Sequence, residues 1–330
     1  MLMKKTWLLA AMAAAGMTTM GLAASPASAQ QQQKVTYLLP APVFLPAFAP
    51  WMLAKHKGYY KAEGLDVEFQ SGKGGVDTAK QVGAGNADIG GGVGDTAVIV
   101  RPNDIPVKAV AVLGGKSLAL IVVHADSGIN SPKDLKGKKV SAQSLVDTTY
   151  YALLGTLASQ GLTKNDVEVQ PVGPVNVWKI FAGKQVDAMV GVPDFLASAE
   201  TAGAKVKVFP THEYFENMAQ AIIASDDMIK KNPEMIRKVV RATLMGMADI
   251  MKDPAQATKD YIAAVPQHKG KEEEMGRVLS YYAKFVYPGQ KTIGEMDEAR
   301  LTKLQEFYLK QGIIQKATPV KDLYSNAFIK

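Results

Sequence analysis

Short apolar runs alternate with amphipathic segments of helix length along most of the chain, and from residue 226 onward the helical pattern predominates. Runs rich in Val, Ile and Leu that are bounded by Gly, Pro or Asp indicate strands, and longer segments with period near 3.6 indicate helices. Such alternation is typical of an α/β architecture with largely parallel sheets. Strands are predicted at 34–39, 67–70, 89–93, 107–113, 119–123, 138–142, 167–171, 188–192, 206–209 and 219–224, with helices at 47–56, 76–84, 96–100, 148–160 and 175–182.

An eight-residue pattern occurs twice, at 88–95 and at 187–194. Both copies read D-x-x-x-G-V-x-D, and each follows an Ala-Gly turn. The repeat indicates two lobes of similar design, in which Asp95 and Asp194 each lie just beyond the C-terminal end of a strand. Open α/β sheets bind ligands outside those ends. Two such lobes that face each other predict a ligand cleft.

The first 29 residues have the features of a secretory signal. Lys4 and Lys5 precede an apolar run from residue 7 to about residue 22, and Ala-Ser-Ala at 27–29 matches a cleavage site. Gly and Thr interrupt the run, so it lacks the roughly 20 continuous apolar residues that a membrane span needs. We therefore expect removal of residues 1–29, export to a Gram-negative periplasm and no stable membrane insertion.

Composition argues against several chemistries. The chain has no cysteine, which excludes disulfides, thiolate metal sites, a Cys nucleophile and a lipid anchor on an N-terminal Cys. Its four histidines show no metal-binding spacing, and neither a nucleophile elbow nor a dinucleotide fingerprint occurs. The formal net charge is +7, but the charges are interspersed, so no nucleic-acid partner is expected. We predict no catalytic residue, no metal, no cofactor and a monomer.

Several segments resemble one known family. They are A-K-H-K-G-Y-Y-K-A-E-G-L-D-V-E at 54–68, A-G-N-A-D at 84–88, S-P-K-D-L-K-G-K-K-V at 131–140 and A-G-K-Q-V-D at 182–187. The chain resembles the periplasmic binding proteins for sulfonate, nitrate, taurine and thiamine-pyrimidine precursors over essentially its whole mature length. This resemblance implies a type II periplasmic binding fold, which has two α/β lobes joined by two crossover strands.

The resemblance also implies domain limits and a function. Lobe 1 would comprise 30–118 plus 225–330, lobe 2 would comprise 119–224, and the crossovers would lie near 119–123 and 219–224. Such a protein captures a small solute by hinge closure and delivers it to an ABC permease and its ATPase. A periplasmic ligand sensor would need the same cleft. Thiamine-pyrimidine synthases also resemble part of the chain, but they use a cysteine-rich motif that is absent here, so we predict that the protein is not an enzyme.

Three aspartates are the main candidates for ligand recognition. Asp95 and Asp194 are expected to accept hydrogen bonds from ligand N–H or O–H groups, and capping of the following helix is the alternative for Asp95. Asp147 precedes a predicted helix start at Thr148, so capping is an alternative there too. By resemblance, sulfonate-binding relatives carry a Ser/Thr-rich stretch at this point. The carboxylate of Asp147 would repel a sulfonate, and this disfavours such a ligand.

Two glycine-rich segments and several aromatic residues complete the candidate site. Residues 72–75 allow close backbone approach, with Lys73 available to an anion, or form a surface turn; residues 114–117 contact ligand or act as a hinge. Flat side chains would suit a planar ligand, and Tyr150 and Tyr151 lie near the predicted cleft. An amino-heteroaromatic such as a thiamine pyrimidine precursor is favoured, while an alkyl or aryl sulfonate, nitrate or an aromatic acid stays open. The predicted ligand-binding residues are Phe44, Lys73, Gly74, Asp95, Thr96, Ser117, Asp147, Thr148, Trp178 and Asp194.

Overall fold

The computed structural model describes residues 32–329, so the predicted signal at 1–29 lies outside the described residues. The strands are β1 (Gln33–Leu39), β2 (Leu65–Ser71), β3 (Ile89–Val93), β4 (Val107–Val112), β5 (Leu120–His124), β6 (Lys139–Ala142), β7 (Glu168–Pro171), β8 (Ala188–Gly191), β9 (Val206–Pro210) and β10 (Gln220–Ser225). The α-helices are α1 (Ala49–His56), α2 (Tyr59–Ala62), α3 (Gly75–Gly83), α4 (Thr96–Val100), α5 (Thr148–Ser159), α6 (Val177–Ala182), α7 (Pro193–Thr201), α8 (Asp226–Lys231), α9 (Pro233–Lys252), α10 (Pro254–Ala264), α11 (Glu272–Phe285) and α12 (Glu298–Lys310).

The strands form two mixed sheets with the same plan. The first has the order β2-β1-β3-β10-β4 and the second the order β7-β6-β8-β5-β9. In each sheet the first three strands are parallel and the fourth runs antiparallel to them. The fourth strand, β10 or β5, is the first strand that the chain enters after it crosses from the other sheet. The first sheet with α1–α4 and α8–α12 is called the first lobe, and the second sheet with α5–α7 the second lobe.

One predicted boundary needs correction. The predicted second lobe includes 219–224, whereas β10 pairs with β3 and β4 in the first sheet. The chain therefore passes between the lobes at 113–119 and returns at 211–219. These two segments are the interlobe connections.

The apolar residues of the strands explain why the sheets are covered on both faces. All five residues of β5 and all six of β10 are buried, as expected for strands with a helical layer on each side. In the first lobe, α1 packs on α9 around the fully buried Trp51 and Leu53. The second sheet separates two smaller apolar clusters. Among the described residues, no helix combines the length and apolar character that a membrane span requires.

The three consecutive glycines of β3 leave room for α3, for the end of β1 and for Thr96 of α4. A Cβ on Gly90 would lie 2.7 Å from Thr78 Cγ2 and 3.2 Å from the Leu38 carbonyl oxygen. Neither distance fits a normal van der Waals contact. Gly90 therefore allows α3 to approach the sheet closely and fixes where the following turn, which carries Asp95, leaves the sheet.

The C-terminal helices of the first lobe contact the second lobe on two sides of the interlobe connections. On one side α7 meets α11, where Ser198 donates to Glu274 at 3.0 Å and Tyr281 donates to Glu200 at 2.6 Å. On the other side α12 packs beside the returning connection, and the Phe307 ring centroid lies 4.6 Å from that of Phe215. The lobes are therefore held together by helices as well as by the connections.

Candidate functional site

The two copies of the D-x-x-x-G-V-x-D pattern form the same local structure in the two lobes. Its first aspartate accepts a hydrogen bond from the backbone of the neighbouring strand: Asp88 from the Thr36 amide and Asp187 from the Lys139 amide, both at 2.8 Å. Its second aspartate follows the strand at the edge where the lobes meet. The first aspartate of each copy thus fixes the strand, and the second lies just beyond its C-terminal end.

Asp95 is fully buried where β3 passes into α4. It occupies the N-cap position, yet its carboxylate makes no capping hydrogen bond; instead, the Tyr308 hydroxyl donates to Oδ2. Oδ1 has no hydrogen-bond partner within the described residues. Burial raises the pKa of Asp95, and the Tyr308 hydroxyl and the Arg300 guanidinium oppose that rise. The capping alternative for Asp95 is therefore wrong, and Oδ1 can accept a donor from a ligand.

Asp147 uses one carboxylate oxygen to cap α5, as the alternative interpretation predicted. Oδ1 accepts hydrogen bonds from the backbone amides two and three residues further on, at 2.7 and 3.1 Å. Oδ2 is buried and has no partner in the part of the chain that the structure describes. The nearby charges of Asp147 and Asp95 add to burial in raising the pKa of Tyr151, whose ring centroid lies 5.6 Å from that of Tyr308. Helix α5 thus brings Asp147 near the Asp95 site of the other lobe.

Asp194 lies in the first turn of α7, where Val192 occupies the N-cap position. Its Oδ1 is buried without a hydrogen-bond partner among residues 32–329. Burial raises the pKa of Asp194 to about 7, and the Ala47 backbone and the Tyr282 hydroxyl oppose the rise. The Ala47 carbonyl accepts a hydrogen bond from Gln220 Nε2 at 2.7 Å, and Gln220 Oε1 is itself buried without a partner in the described chain.

Four buried carboxylate and amide oxygens have no hydrogen-bond partner within the described residues, and we call them the acceptor cluster. It consists of Asp95 Oδ1, Asp147 Oδ2, Asp194 Oδ1 and Gln220 Oε1. Gln220 pairs with Val93 across β10 and β3, so it lies at the same sheet edge as Asp95. Carboxylate and amide oxygens accept hydrogen bonds, and each buried acceptor left unpaired costs roughly 1–3 kcal/mol. N–H or O–H groups of a bound molecule can donate the hydrogen bonds that these oxygens lack.

Two predicted ligand residues, Thr96 and Ser117, have structural roles. Thr96 Oγ1 accepts a hydrogen bond from the Val93 amide at 3.0 Å and so closes the turn after β3. Ser117 is fully buried in the outgoing connection, where its hydroxyl accepts from the Ala119 amide at 2.9 Å and from Thr211 at 2.7 Å. Both hydroxyls accept these hydrogen bonds from protein groups, and ligand contact by Thr96 and Ser117 stays a prediction. For residues 114–117 the hinge alternative fits this geometry.

The glycine-rich loop after β2 is attached to the end of β1. The Gly74 amide donates to the Pro40 carbonyl at 2.7 Å, with a left-handed φ of 99° that glycine adopts readily. Lys73 is exposed, and its backbone amide donates to Asp77 at 3.1 Å. Thr148 is the first residue of α5 and is partly exposed beside Asp147. Lys73, Gly74 and Thr148 remain predicted ligand contacts.

The two aromatic candidates do not form a pair. The Phe44 ring is 41% exposed and is tilted against His268 at 6.5 Å, while its carbonyl accepts from the Tyr261 hydroxyl at 2.6 Å. Trp178 is half-buried on α6 and packs against the apolar core of the second lobe. Phe44 and Trp178 stay predicted ligand contacts, and an aromatic contact between the two lobes is that of Tyr151 with Tyr308.

Several residues that contact the site belong to no sequence motif. Tyr308, Arg300 and Gln220 reach it from elements more than 100 residues after Asp95 along the chain. None of them belongs to a motif, so spacing gave no signal. Among residues 32–329, no three His, Asp or Glu side chains are grouped so as to hold a metal ion.

Comparison with known proteins identifies two kinds of relative. The riboflavin-binding protein RibY of Chloroflexus aurantiacus is 25% identical over 86% of this chain and 82% of its own length. The 4-amino-5-hydroxymethyl-2-methylpyrimidine phosphate synthase THI11 of Saccharomyces cerevisiae is 26% identical over 77% of this chain and 78% of its own length. The prediction that the protein is not an enzyme is therefore wrong. Relatives named as synthases align with most of this chain, although this chain has no cysteine.

Solved structures confirm the predicted fold. The alkanesulfonate-binding protein SsuA of Xanthomonas axonopodis pv. citri, bound to MOPS, superposes with a TM-score of 0.68 at 18% identity, covering 89% of this chain and 98% of the other. The two α/β lobes thus have the fold of solved periplasmic binding proteins. The NMT1/THI5-like family model matches residues 45–257. The chain belongs to the NMT1/THI5-like family.

Proposed function

We propose that the protein is the solute-binding component of an ABC importer and that it captures a planar heteroaromatic solute bearing amino or hydroxyl donors. The acceptor cluster carries this proposal. Three carboxylates and one amide each have a buried oxygen without a partner within the described residues, and Asp95 binds Tyr308, whose ring contacts Tyr151 of the second lobe. A solute with several donors satisfies these oxygens at once, and hydrogen bonds to ionised carboxylates are the stronger kind.

Charge discriminates between the candidate solutes. Sulfonate and nitrate carry negative charge and offer acceptors only, so they would leave the buried acceptor oxygens unpaired and would face like charge at each carboxylate that is ionised. The Arg300 guanidinium does not offset this, because it donates to the backbone carbonyls of Gly115 and Glu216. An amino-heteroaromatic solute meets neither penalty.

The names of the relatives support the same solute class. One is named a riboflavin-binding protein, and the others are named for an aminopyrimidine phosphate that they synthesise. Riboflavin and the aminopyrimidine are both planar nitrogen heterocycles with N–H or O–H donors. The resemblance to the sulfonate-binding structure supports the fold, whereas the aspartates argue for a different ligand chemistry.

Capture requires the lobes to part and close, because Asp95 is fully buried at their contact. In our proposal an open form admits the solute, and binding shifts the population toward the closed form. Export through the signal at 1–29 would place the protein in the periplasm, where its closed form docks on a permease with its ATPase. A sensor would use the same closed form, and neighbouring genes for a permease and an ATPase would favour transport.

Thermal unfolding of the purified protein with a panel of solutes tests the proposal. We expect stabilisation by 4-amino-5-hydroxymethyl-2-methylpyrimidine or riboflavin, and none by methanesulfonate or nitrate. A ligand at 100 times its Kd adds about 2.7 kcal/mol to the free energy of unfolding. Stabilisation by methanesulfonate or nitrate alone would overturn the proposed solute class.

Mass spectrometry of the same mixtures provides the matching test of turnover. If the protein acts as a binding component, the aminopyrimidine and riboflavin are recovered with unchanged mass. A new product that forms in proportion to protein concentration would replace this proposal with a synthase activity.

A further inference from the structure

The two interlobe connections are fastened directly to each other. The Thr211 hydroxyl of the returning connection donates to Ser117 Oγ of the outgoing one at 2.7 Å. The Thr211 amide also donates to the Ala119 carbonyl at 3.2 Å, and the Leu118 amide donates to the Met218 carbonyl at 3.4 Å. Any rotation of one lobe against the other must displace these paired segments together.

One side chain outside the connections holds both of them. Arg300, near the start of α12, donates from Nη1 to the Gly115 carbonyl at 2.6 Å and from Nε to the Glu216 carbonyl at 2.8 Å. Its Nη2 donates to the Asn217 carbonyl. Gly115 lies in the outgoing connection, and Glu216 and Asn217 lie in the returning one. The planar guanidinium, with donors at fixed angles, suits a bridge between several carbonyls, and a lysine ammonium does not reproduce this geometry.

The same helix also reaches the acceptor cluster. Tyr308 of α12 donates to Asp95 Oδ2, and its ring packs at 5.6 Å from that of Tyr151 in the second lobe. The Arg300 charge also acts on the Asp95 carboxyl. A displacement of α12 would therefore alter the hinge contacts at its beginning and the ligand-recognition contact near its end.

We propose that Arg300 is a positioning residue that couples the acceptor cluster to the interlobe hinge: it clamps the two connections in the closed arrangement, and α12 transmits their position to Asp95. This inference rests on the proposed function, in which closure captures the solute. Loss of the clamp lowers the fraction of closed molecules. The apparent Kd then rises in inverse proportion to that fraction.

Single-molecule energy transfer between the lobes measures this fraction directly. The chain has no cysteine, so Gln70→Cys on edge strand β2 and Glu168→Cys on edge strand β7 place one dye on each lobe at exposed positions. Arg300→Lys retains the positive charge but lacks the planar guanidinium and its several N–H donors. Arg300→Gln removes the positive charge as well. Arg241→Lys is the matched control, because Arg241 pairs with Glu63 at 3.0 Å within the first lobe.

We expect both Arg300 variants to shift the ligand-free distance distribution toward open forms. Arg300→Lys should also raise the Kd for 4-amino-5-hydroxymethyl-2-methylpyrimidine about tenfold, because a tenfold smaller closed fraction raises the apparent Kd by the same factor. Saturating solute should restore the closed distribution, and Arg241→Lys should match the unsubstituted protein. A lower melting temperature with unchanged distances and Kd would show a purely structural role and overturn the assignment.

The two proposals fail in different ways. If the unsubstituted protein closes on the solute and Arg300→Lys does the same at the same concentration, only the role of Arg300 is overturned. If the unsubstituted protein changes its distance with none of the solutes, the proposed function fails. The ligand-free distributions then still decide whether Arg300 clamps the hinge.

Discussion

At the scale of single residues, three aspartates that look alike in sequence have different surroundings. Asp147 has an extended backbone, with φ −102° and ψ 165°, so its side chain turns back onto the first amides of α5. Asp95 has φ −92° and ψ 5°, and its carboxylate instead meets the Tyr308 hydroxyl. Backbone conformation thus decides which of these carboxylates caps a helix, and sequence alone does not specify that conformation.

Asp95 is expected to recognise a ligand amino group. Asp95→Asn should weaken binding of 4-amino-5-hydroxymethyl-2-methylpyrimidine about ten- to a hundredfold, because a hydrogen bond to a charged group contributes roughly 1.5–3 kcal/mol. Isothermal titration calorimetry measures the change. The exposed Asp66, replaced by Asn, is the control and should leave the Kd unchanged. Equal affinities for the unsubstituted protein and Asp95→Asn would remove Asp95 from the site.

Asp194 should make stability depend on pH. Its pKa is raised from the ordinary 3.8 to about 7, so between these pH values the folded protein retains a proton that the unfolded chain releases. The free energy of unfolding therefore falls as pH rises from about 4 to about 7, by an amount of the order of 2–4 kcal/mol for this group. Urea unfolding of the ligand-free protein at several pH values measures the slope.

Asp194→Asn should flatten this slope, because asparagine does not titrate, while Asp66→Asn should preserve it. The substituted protein should gain stability relative to the unsubstituted one at pH 8 and differ least from it at pH 4. A slope that Asp194→Asn leaves intact would show that other groups cause the pH dependence.

At the scale of elements, Asp147 at the start of helix α5 has a structural role and a proposed ligand-binding role. One of its carboxylate oxygens caps the helix, and the other belongs to the acceptor cluster. Asp147→Ala should lower the free energy of unfolding by about 1 kcal/mol through loss of the cap. Asp147→Ser should restore most of that stability, since serine also caps well, but should not restore affinity for the aminopyrimidine. Urea unfolding and calorimetry separate the two effects, and full recovery of affinity in Asp147→Ser would mean that Oδ2 plays no part in recognition.

The elements were largely predictable from sequence, since their apolar runs and terminating glycines are local features. The exception is instructive. The run at 219–224 is a strand as predicted, but it belongs to the first sheet, where it lies between β3 and β4. A fully apolar strand fits the core of either lobe, so its residue pattern does not predict which strands it pairs with. For the same reason, Arg300 and Tyr308 could not be assigned to the site before the fold placed α12 beside it.

At the scale of the whole molecule, the repeated D-x-x-x-G-V-x-D pattern predicted two lobes that each present an aspartate, and the two sheets have the same strand order. The sequence did not reveal that α11 and α12 of the first lobe flank the connections and contact the second lobe. Because of these contacts, closure of the two lobes would involve the C-terminal helices as well as the interlobe connections. They arise from tertiary packing over separations of more than 75 residues.

A crystal structure of the protein with 4-amino-5-hydroxymethyl-2-methylpyrimidine tests the central claim most directly. The account predicts that the solute lies between the two lobes, with its amino nitrogen within about 3.2 Å of an oxygen of the acceptor cluster. Asp95 Oδ1, Asp147 Oδ2 or Asp194 Oδ1 would then gain the partner that it lacks in the described chain. A solute bound outside the cleft, or one that leaves all three carboxylate oxygens unpaired, would contradict the account.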